Sequence, residues 1–485
     1  MLQDADALPQ LIGDYKPLDQ WQTHLNQVFY GLRGNQLRSY YQTFASADFR
    51  LAHALAADYF EQVTKREKVS GVRRQASGEN GAESRLTPQG SSLTVLELGP
   101  GNGNLAACFL SYLKALDTQG MIYPRVRYVM VDWEQPVLDG ALAHPDLAAH
   151  RDRVDGQCGS IEYLAGLAEG TVDRIFCNEL WNDLPTKLLA KHGGEIEEEY
   201  IRPNLSEFLH AKIEDWSGFV RAFQEKDLAV LKTFPPFLDE LVWEKEYRKV
   251  EWKDVPYRKT IVEFLQAIDQ EVLVPVNLGA FATLKEAKRL LAPDAVGLSV
   301  FDAGTGDMKV LNDPEKPCYG QFGGQYSFMI NFALVEAVAK HLGFKQTSLE
   351  PQREFVGRSL NTNVITLMDL LATHPSAGPK LQAWEQDRLV LKTIKALNET
   401  FESPYHHRLE FPLGTNLPPE ERDTSSAILR SLKDNGIPDT VAYLSEEELA
   451  RAQRDLEEIG YDPDVIAVAL SAPPAPIEYC HFACR

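Results

Sequence analysis

One stretch limits what this chain can fold into more than any other: Val95-Leu96-Glu97-Leu98-Gly99-Pro100-Gly101-Asn102-Gly103-Asn104-Leu105. The apolar run from Leu93 to Leu98 reads as a buried strand. Three glycines at alternate positions then turn the chain. Leu105, Phe109, Tyr112, Leu113 and Leu116 follow at helical spacing. Strand, glycine turn and helix open a nucleotide-binding α/β unit. Glycine serves such a turn because it accepts positive φ and has no Cβ to hold a ligand off the backbone.

The spacing narrows the ligand. A dinucleotide fingerprint, G-x-G-x-x-G, needs a third glycine where Asn104 stands. The pattern is instead Glu97-x-Gly99-x-Gly101-x-Gly103. This form resembles motif I of the class I S-adenosylmethionine-dependent methyltransferases. The resemblance implies that the turn wraps the amino-acid end of S-adenosyl-L-methionine. It also implies that Glu97 reaches the ligand's ammonium, often through water.

A chain of 485 residues can form two or three packed units. Its 44% hydrophobic and 25% charged content is that of a globular protein. The formal net charge of −21 argues against a nucleic-acid partner, which requires a basic face. The six cysteines show no framework spacing, which points to a reducing, cytoplasmic setting. The acidic start, Met1 to Asp6, lacks the basic region and apolar core of a signal peptide. No apolar run is long enough for a bilayer, so no membrane partner is expected.

Residues 1–64 read as an N-terminal helical segment, with an amphipathic face at Phe49, His53, Ala57 and Phe60. Residues 65–92, centred on Ser77-Gly78-Glu79-Asn80-Gly81, read as a mobile insertion. A second strand, Arg127 to Val131, ends in Asp132. A carboxylate at that strand end can accept both ribose hydroxyls, with Glu134 as the reserve. Arg153 to Gln157 reads as a third strand, and Ser160 and Ile161 after it are the candidates for the adenine contact. Val172 to Cys177 reads as a fourth strand and runs into Asn178-Glu179-Leu180-Trp181-Asn182-Asp183-Leu184-Pro185.

That octet resembles the N-E-[FLV]-[FL]-D-A-L-P signature of the MidA family. These S-adenosylmethionine-dependent methyltransferases include an arginine methyltransferase that assists respiratory complex I assembly. Val296 to Gly304 resembles the family's strand ending in D-Y-G, and Gly323 to Phe332 resembles its G-x-x-D-I-T-x-H-V-D-F stretch, before a helix from Ala333 to Leu342. The resemblance implies an α/β fold: a doubly wound, mostly parallel, seven-stranded Rossmann-like methyltransferase sheet at 93–349. Helical additions are expected at the N-terminus, in a cap at 205–275 and in a C-terminal region at 350–485. The sequence departs from the signature at Asn182 and Asp183 (Asp-Ala in the family), at Gln325 and Asn331 (aspartates) and at Ala303 (tyrosine).

Methyl transfer from a sulfonium asks mainly for in-line positioning and, for some acceptors, removal of a proton. Asn178 and Glu179 are the catalytic candidates, since both would lie beside the reactive methyl. Asn178 is also a cofactor candidate with Glu97, Gly99, Gly101, Gly103, Asp132, Ser160 and Ile161. Glu179 could orient a guanidinium in a bidentate contact. The following hairpin, at Lys187-Leu188-Leu189, offers no second glutamate, and Glu195, Glu197, Glu198 and Glu199 read as a solvated face. Trp181 reads as core, and Trp243 to Lys259 as a mixed-charge helical surface.

Beyond Glu350 the chain reads as helices around 364–371, 380–401, 426–432 and 446–459. Cys480, His481 and Cys484, on a fraying tail, supply too few ligands for structural zinc, so no metal is expected. The leading expectation is a MidA-like methyltransferase acting on a protein side chain, arginine first. The alternatives are a small-molecule acceptor in biosynthesis, and a non-catalytic assembly factor that keeps the cofactor fold.

Overall fold

A computed structural model describes residues 10–33, 49–76, 92–268, 270–311, 319–322, 324–361, 364–366, 443–445, 450, 454, 457–458 and 479–485. The chain begins with two short strands, β1 (Gln10–Leu11) and β2 (Lys16–Pro17), and two helices, α1 (Leu18–Arg33) and α2 (Arg50–Ala76). The expected insertion at 65–92 therefore starts later, because α2 runs on to Ala76. Arg66 on that helix pairs with the buried Asp173, which also accepts from Tyr59 Oη at 2.7 Å. These anchors hold the helix through its polar stretch.

The glycine-turn unit follows: β3 (Leu93–Leu98), α3 (Asn104–Leu116), β4 (Val126–Asp132), α4 (Gln135–Leu142), β5 (Val154–Cys158) and β6 (Val172–Asn178). A second group runs β7 (Thr186–His192), β8 (Glu195–Leu205), α5 (Trp216–Glu225), β9 (Leu241–Lys249), α6 (Arg258–Gln266), β10 (Val272–Asn277) and α7 (Leu278–Leu290). The chain then forms β11 (Gly297–Thr305), β12 (Tyr319–Phe322), β13 (Gln325–Phe328), β14 (Ile330–Asn331), α8 (Phe332–His341), β15 (Thr347–Pro351) and α9 (Gln352–Leu360). Three further strands are β16 (Val364–Thr366), β17 (Tyr443–Ser445) and β18 (Tyr479–Cys484).

The main sheet has the order β15-β18-β11-β6-β3-β4-β5, with β14 added beside β11. Its pairs are parallel except those of β18, which runs against both β11 and β15. Alternate residues of β3, β4 and β6 feed two apolar clusters. Leu96, Val129 and Ile175 face one, and Val95, Tyr128 and Phe176 the other. Both faces are covered, as a parallel sheet requires.

The expected helical cap at 205–275 holds short helices, among them α5 and α6, but also the strand β9 and the start of β10, which join a second sheet. β7, β8, β9 and β10 pair antiparallel with one another and with β1 and β2. Its apolar side packs on α1 and α5 through Trp21, Phe219 and Phe223. β9 was expected as helix because its charges alternate in sign. Those charges pair across strands instead: Arg202 with Glu244 at 2.5 Å, and Lys245 with Glu199 at 3.3 Å. The acidic run is likewise not a wholly solvated face. Glu198 and Glu199 are buried, Glu198 against Lys187 and Glu199 accepting from Tyr247 Oη at 2.9 Å.

The carboxyl terminus corrects the sequence reading most. Cys480, His481 and Cys484 are not on a fraying tail; they lie buried in β18, between β11 and β15. The expected helix at 364–371 begins instead as the strand β16, paired with β17. The expected helices at 380–401 and 426–432, and most of 446–459, lie outside the described residues. Among the described residues no group of three or more His, Cys, Asp or Glu side chains is arranged to hold a metal ion. No described helix is long and apolar enough to cross a membrane.

A polar stripe fixes β18 in place. His481 Nδ1 lies 3.0 Å from Glu350 Oε1 on β15, and Nε2 lies 2.8 Å from Ser299 Oγ on β11. A carboxylate can only accept, so the imidazole proton sits on Nδ1 and the Ser299 hydroxyl donates to Nε2. Ser299 in turn accepts from Arg174 Nη2 at 2.8 Å, and Arg174 pairs with Asp58 at 3.1 Å. Burial holds the imidazole below its usual range, which keeps it neutral in this role. His481→Leu keeps the bulk but leaves the buried Ser299 hydroxyl without its acceptor. The expected loss is about 1–3 kcal/mol of stability, read as a lower urea midpoint with an unchanged slope.

Candidate active site

Three parallel strands stop at one level. Leu98 pairs with Val131 of β4 and with Cys177 of β6, so Gly99, Asp132 and Asn178 are next-step neighbours at the carboxyl edge. Phe301 of β11 pairs with Asn178, which puts Asp302 one step further along the same edge. The chain leaves β3 for β4 and β5 on one side, then returns to β6 on the other. Ligands of open α/β sheets bind at such a reversal, outside the carboxyl ends of the strands.

The turn after β3 is built by its glycines. Gly99, Gly101 and Gly103 have φ of 70°, 55° and 83°. A Cβ on Gly103 would meet the Ala141 carbonyl oxygen at 2.4 Å, so packing against α4 excludes any side chain there. A Cβ on Gly101 would meet nothing within 4 Å. That face of the turn is open, as a backbone that receives a ligand must be.

Glu97 points away from this opening into the core. It is buried and accepts from Tyr128 Oη at 2.8 Å. Burial pushes its carboxyl up to about 7, against the lowering effect of that bond. Asp132, at the end of β4, accepts from the Glu134 N–H at 2.9 Å, and its backbone carbonyl accepts from the Gly159 N–H at 2.9 Å. Burial raises its carboxyl to about 6. The second bond brings the turn holding Ser160 against the end of β4. Ser160 is exposed and its Oγ accepts from the Glu162 N–H at 3.2 Å, while Ile161 packs on the apolar cluster.

Asn178 and Glu179 end β6. Asn178 donates to Glu179 Oε1 at 3.2 Å, and its own Oδ1 is buried without a partner. Glu179 has φ of +49°, a left-handed conformation that costs a residue with a Cβ roughly 1–2 kcal/mol. Its N–H donates to the Phe301 carbonyl at 2.7 Å, and Tyr479 Oη donates to its Oε2 at 3.4 Å. Strain of this kind gathers where a side chain must be aimed. Trp181 is fully buried and packs against Phe482, as expected of core.

Two further carboxylates stand at this edge that the sequence reading does not count among the site residues. Asp302 is fully buried and accepts from the Asn182 N–H at 3.1 Å and the Ala303 N–H at 2.8 Å. Burial, with the Glu179 and Asp183 charges nearby, holds it well above the usual carboxylate range. Asp183 accepts from Tyr30 Oη of α1 at 2.5 Å, and burial raises it to about 7. The signal for Asp302 was present in the D-Y-G likeness of its strand. Nothing local in the sequence links Tyr30 to Asp183.

Glu97 yields a pH test. Its carboxyl rises from 4.5 unfolded to about 7 folded, so the native state binds the extra proton between these values. Stability is therefore greatest below the unfolded value and falls as pH rises through the folded one. Glu97→Gln keeps an acceptor for Tyr128 and removes the ionisation. The variant should gain on the order of 3 kcal/mol relative to wild type on passing to alkaline pH, measured by urea denaturation across that window.

Residues 82–296 match the model of a family described as "Putative S-adenosyl-L-methionine-dependent methyltransferase". No curated protein matches the sequence. Among solved structures, a COG1565 superfamily member from Burkholderia thailandensis, bound to S-adenosyl-homocysteine, shares 16% identity at a TM-score of 0.44, over 71% of this chain and 76% of its own. A native COG1565 superfamily protein from the same organism shares 15% identity at a TM-score of 0.41, over 76% and 88%. The matched segment begins ahead of β3 and ends at Val296, just before β11. It holds the open glycine turn, Asp132 and the strand end at Asn178. The protein is an S-adenosyl-L-methionine-dependent methyltransferase.

Proposed function

We propose that this enzyme is MidA-like and methylates a protein side chain, with the arginine guanidinium the first candidate. The reading rests on one observation: Glu179, Asp302 and Asp183 gather at the carboxyl edge beside the glycine turn. Among the described residues, neither Asp183 nor Asp302 forms an ion pair with a cation. Buried carboxylates left in this state are costly, and a cation entering the site would relieve them. A planar guanidinium also suits the aimed carboxylate of Glu179, which can accept from two of its N–H groups.

The residues at the edge suit the cofactor. Gly99, Gly101 and Gly103 would receive its amino-acid end, with Glu97 supporting the turn from beneath through Tyr128. Asp132 would accept the ribose hydroxyls, and Ser160 and Ile161 would flank the adenine. The unpartnered Oδ1 of Asn178 is free to accept from the cofactor's ammonium. The bound sulfonium supplies an already activated methyl group. What remains for the chain is to hold the acceptor in line, keep water out and receive a proton.

Calorimetry with S-adenosyl-homocysteine tests the site. Asp132→Ala should weaken binding by about 1–3 kcal/mol, the cost of leaving the ribose hydroxyls unpaired. An unchanged affinity would move the ribose contact elsewhere. Transfer of a labelled methyl group into cell lysate, fractionated afterwards, tests the acceptor. Label in protein is the expected result, and label in small molecules alone would replace the protein acceptor by a metabolite.

A further inference from the structure

We propose that Asp183, bonded to Tyr30, is the proton acceptor of this methyl transfer. The acceptor atom is then a nitrogen or oxygen that carries a proton to be lost. The inference rests on the reading above and assigns the proton step to a pair of residues.

The geometry is specific. Tyr30 Oη accepts from Gln325 Nε2 at 2.9 Å and donates to Asp183 Oδ2 at 2.5 Å, so the phenol is held with its O–H directed at the carboxylate. The other oxygen, Asp183 Oδ1, is buried and has no partner. It is therefore available to take a proton. The Asn26 amide donates to the Asp183 backbone carbonyl at 3.0 Å and fixes the loop that presents this side chain.

The pair also lies at the crevice. Charges on Asp183 and Asp132 both act on Tyr30, and charges on Asp183 and Glu179 both act on Asp302. Tyr30 and Asp183 thus stand between the end of β4 and the ends of β6 and β11. Tyr30 from α1 faces Asp183 directly, Asp302 from β11 feels the Asp183 charge together with that of Glu179 at the end of β6, and Asp132 from β4 acts with Asp183 on Tyr30. Gln325 from β13 faces it without a charge. Burial brings Asp183 near neutrality, where a general base works best.

The sequence supports the assignment. Asn182, Gln325 and Asn331 stand where the MidA signature carries aspartates, and Asp183 stands where it carries alanine. Asn331 caps α8 by accepting from the Leu334 N–H at 3.1 Å, and Gln325 orients Tyr30. Of these four positions only Asp183 can accept a proton and keep it. In the step itself, the acceptor nitrogen uses a lone pair to form the new N–CH3 bond. The carbon–sulfur bond breaks with its electron pair going to sulfur, and the N–H proton passes to Asp183 Oδ1. The carboxylic acid then returns the proton to water. A guanidinium acceptor begins and ends with one positive charge, and the charge lost by the sulfonium leaves as that proton.

The test uses the full chain as wild type, Asp183→Asn and Tyr30→Phe. Labelled S-adenosyl-L-methionine and lysate protein serve as probes between about pH 6 and 9. Asp183→Asn should bind S-adenosyl-homocysteine within about twofold of wild type and lose about a hundredfold in rate. The rise in rate with pH near neutrality should vanish in that variant. Tyr30→Phe removes a bond that lowers the Asp183 carboxyl, so its limb should move to higher pH. Carbon-13 spectra of aspartate-labelled protein should show a carboxyl titrating near neutrality in wild type and missing in Asp183→Asn. Asp183→Ala, which restores the residue of the signature, replaces the asparagine variant if that one does not fold. An Asp183 variant with the wild-type rate and limb would overturn the proton role while the methyltransferase reading stands. Loss of S-adenosyl-homocysteine binding in both Asp183 variants would overturn it in favour of a structural role. Cofactor binding by wild type with no label in any fraction would bring down the proposed acceptor and the proton step together.

Discussion

The site depends on the shared register of β3, β4 and β6. Because Leu98, Val131 and Cys177 are level, their successors converge on one edge without any long side chain having to reach. β-Ladder hydrogen bonds fix that level, and apolar clusters on both faces hold the ladder. The glycine turn can then stay open at Gly101, because it is braced at Gly103 by α4 and at Gly99 by the Val131 carbonyl, which accepts the Gly99 N–H at 2.9 Å. Rigid strand ends and a bare backbone are together what positioning chemistry requires.

The antiparallel β18 completes that edge from the far end of the sequence. It pairs with β11 over Leu298 to Ala303, directly beneath Asp302, and brings Tyr479 to Glu179. Its polar stripe crosses four strands through Glu350, His481, Ser299 and Arg174. Its links from Glu350 through His481 and Ser299 to Arg174 Nη2 each join a donor to an acceptor, as a polar network that stabilises a core requires. The last residues of the chain are therefore part of the sheet that carries the site.

How much of this could be read from the sequence follows from the range of the interactions. The strands β3, β4 and β6 carry apolar runs between turn residues, a local signal, and they were placed within a residue or two. The glycine turn was legible because its constraint is also local. β9 was misread because its alternating charges satisfy helical and strand patterns alike, and only partners such as Arg202 and Glu199 on β8 decide between them. β18 was misread because a short segment after prolines shows no sign of the two strands that receive it. Asp183 shows in the sequence only as a departure from the signature, because its meaning comes from Tyr30 and Gln325, which lie far away in the chain.

Asp132, Asp183 and Asp302 are all pushed toward the protonated form, each mainly by burial. A sheet edge of this kind is electrostatically unfinished. The folded protein carries carboxyls whose ionised forms lack compensating charge, and each contributes less stability as pH rises through its raised value. A cation entering the edge would reverse this, favouring the ionised forms and releasing protons. The sulfonium and ammonium of the cofactor are such cations, and so is a guanidinium acceptor. Binding and stability are then linked through the same carboxyls: a ligand that binds only the folded state adds to its stability. The left-handed backbone at Glu179 belongs to the same edge, since it sets the direction in which that carboxylate leaves the end of β6. Under the proposed reading a positively charged acceptor would gain from that incompleteness, because a neutral molecule of the same shape would leave the carboxyls as it found them.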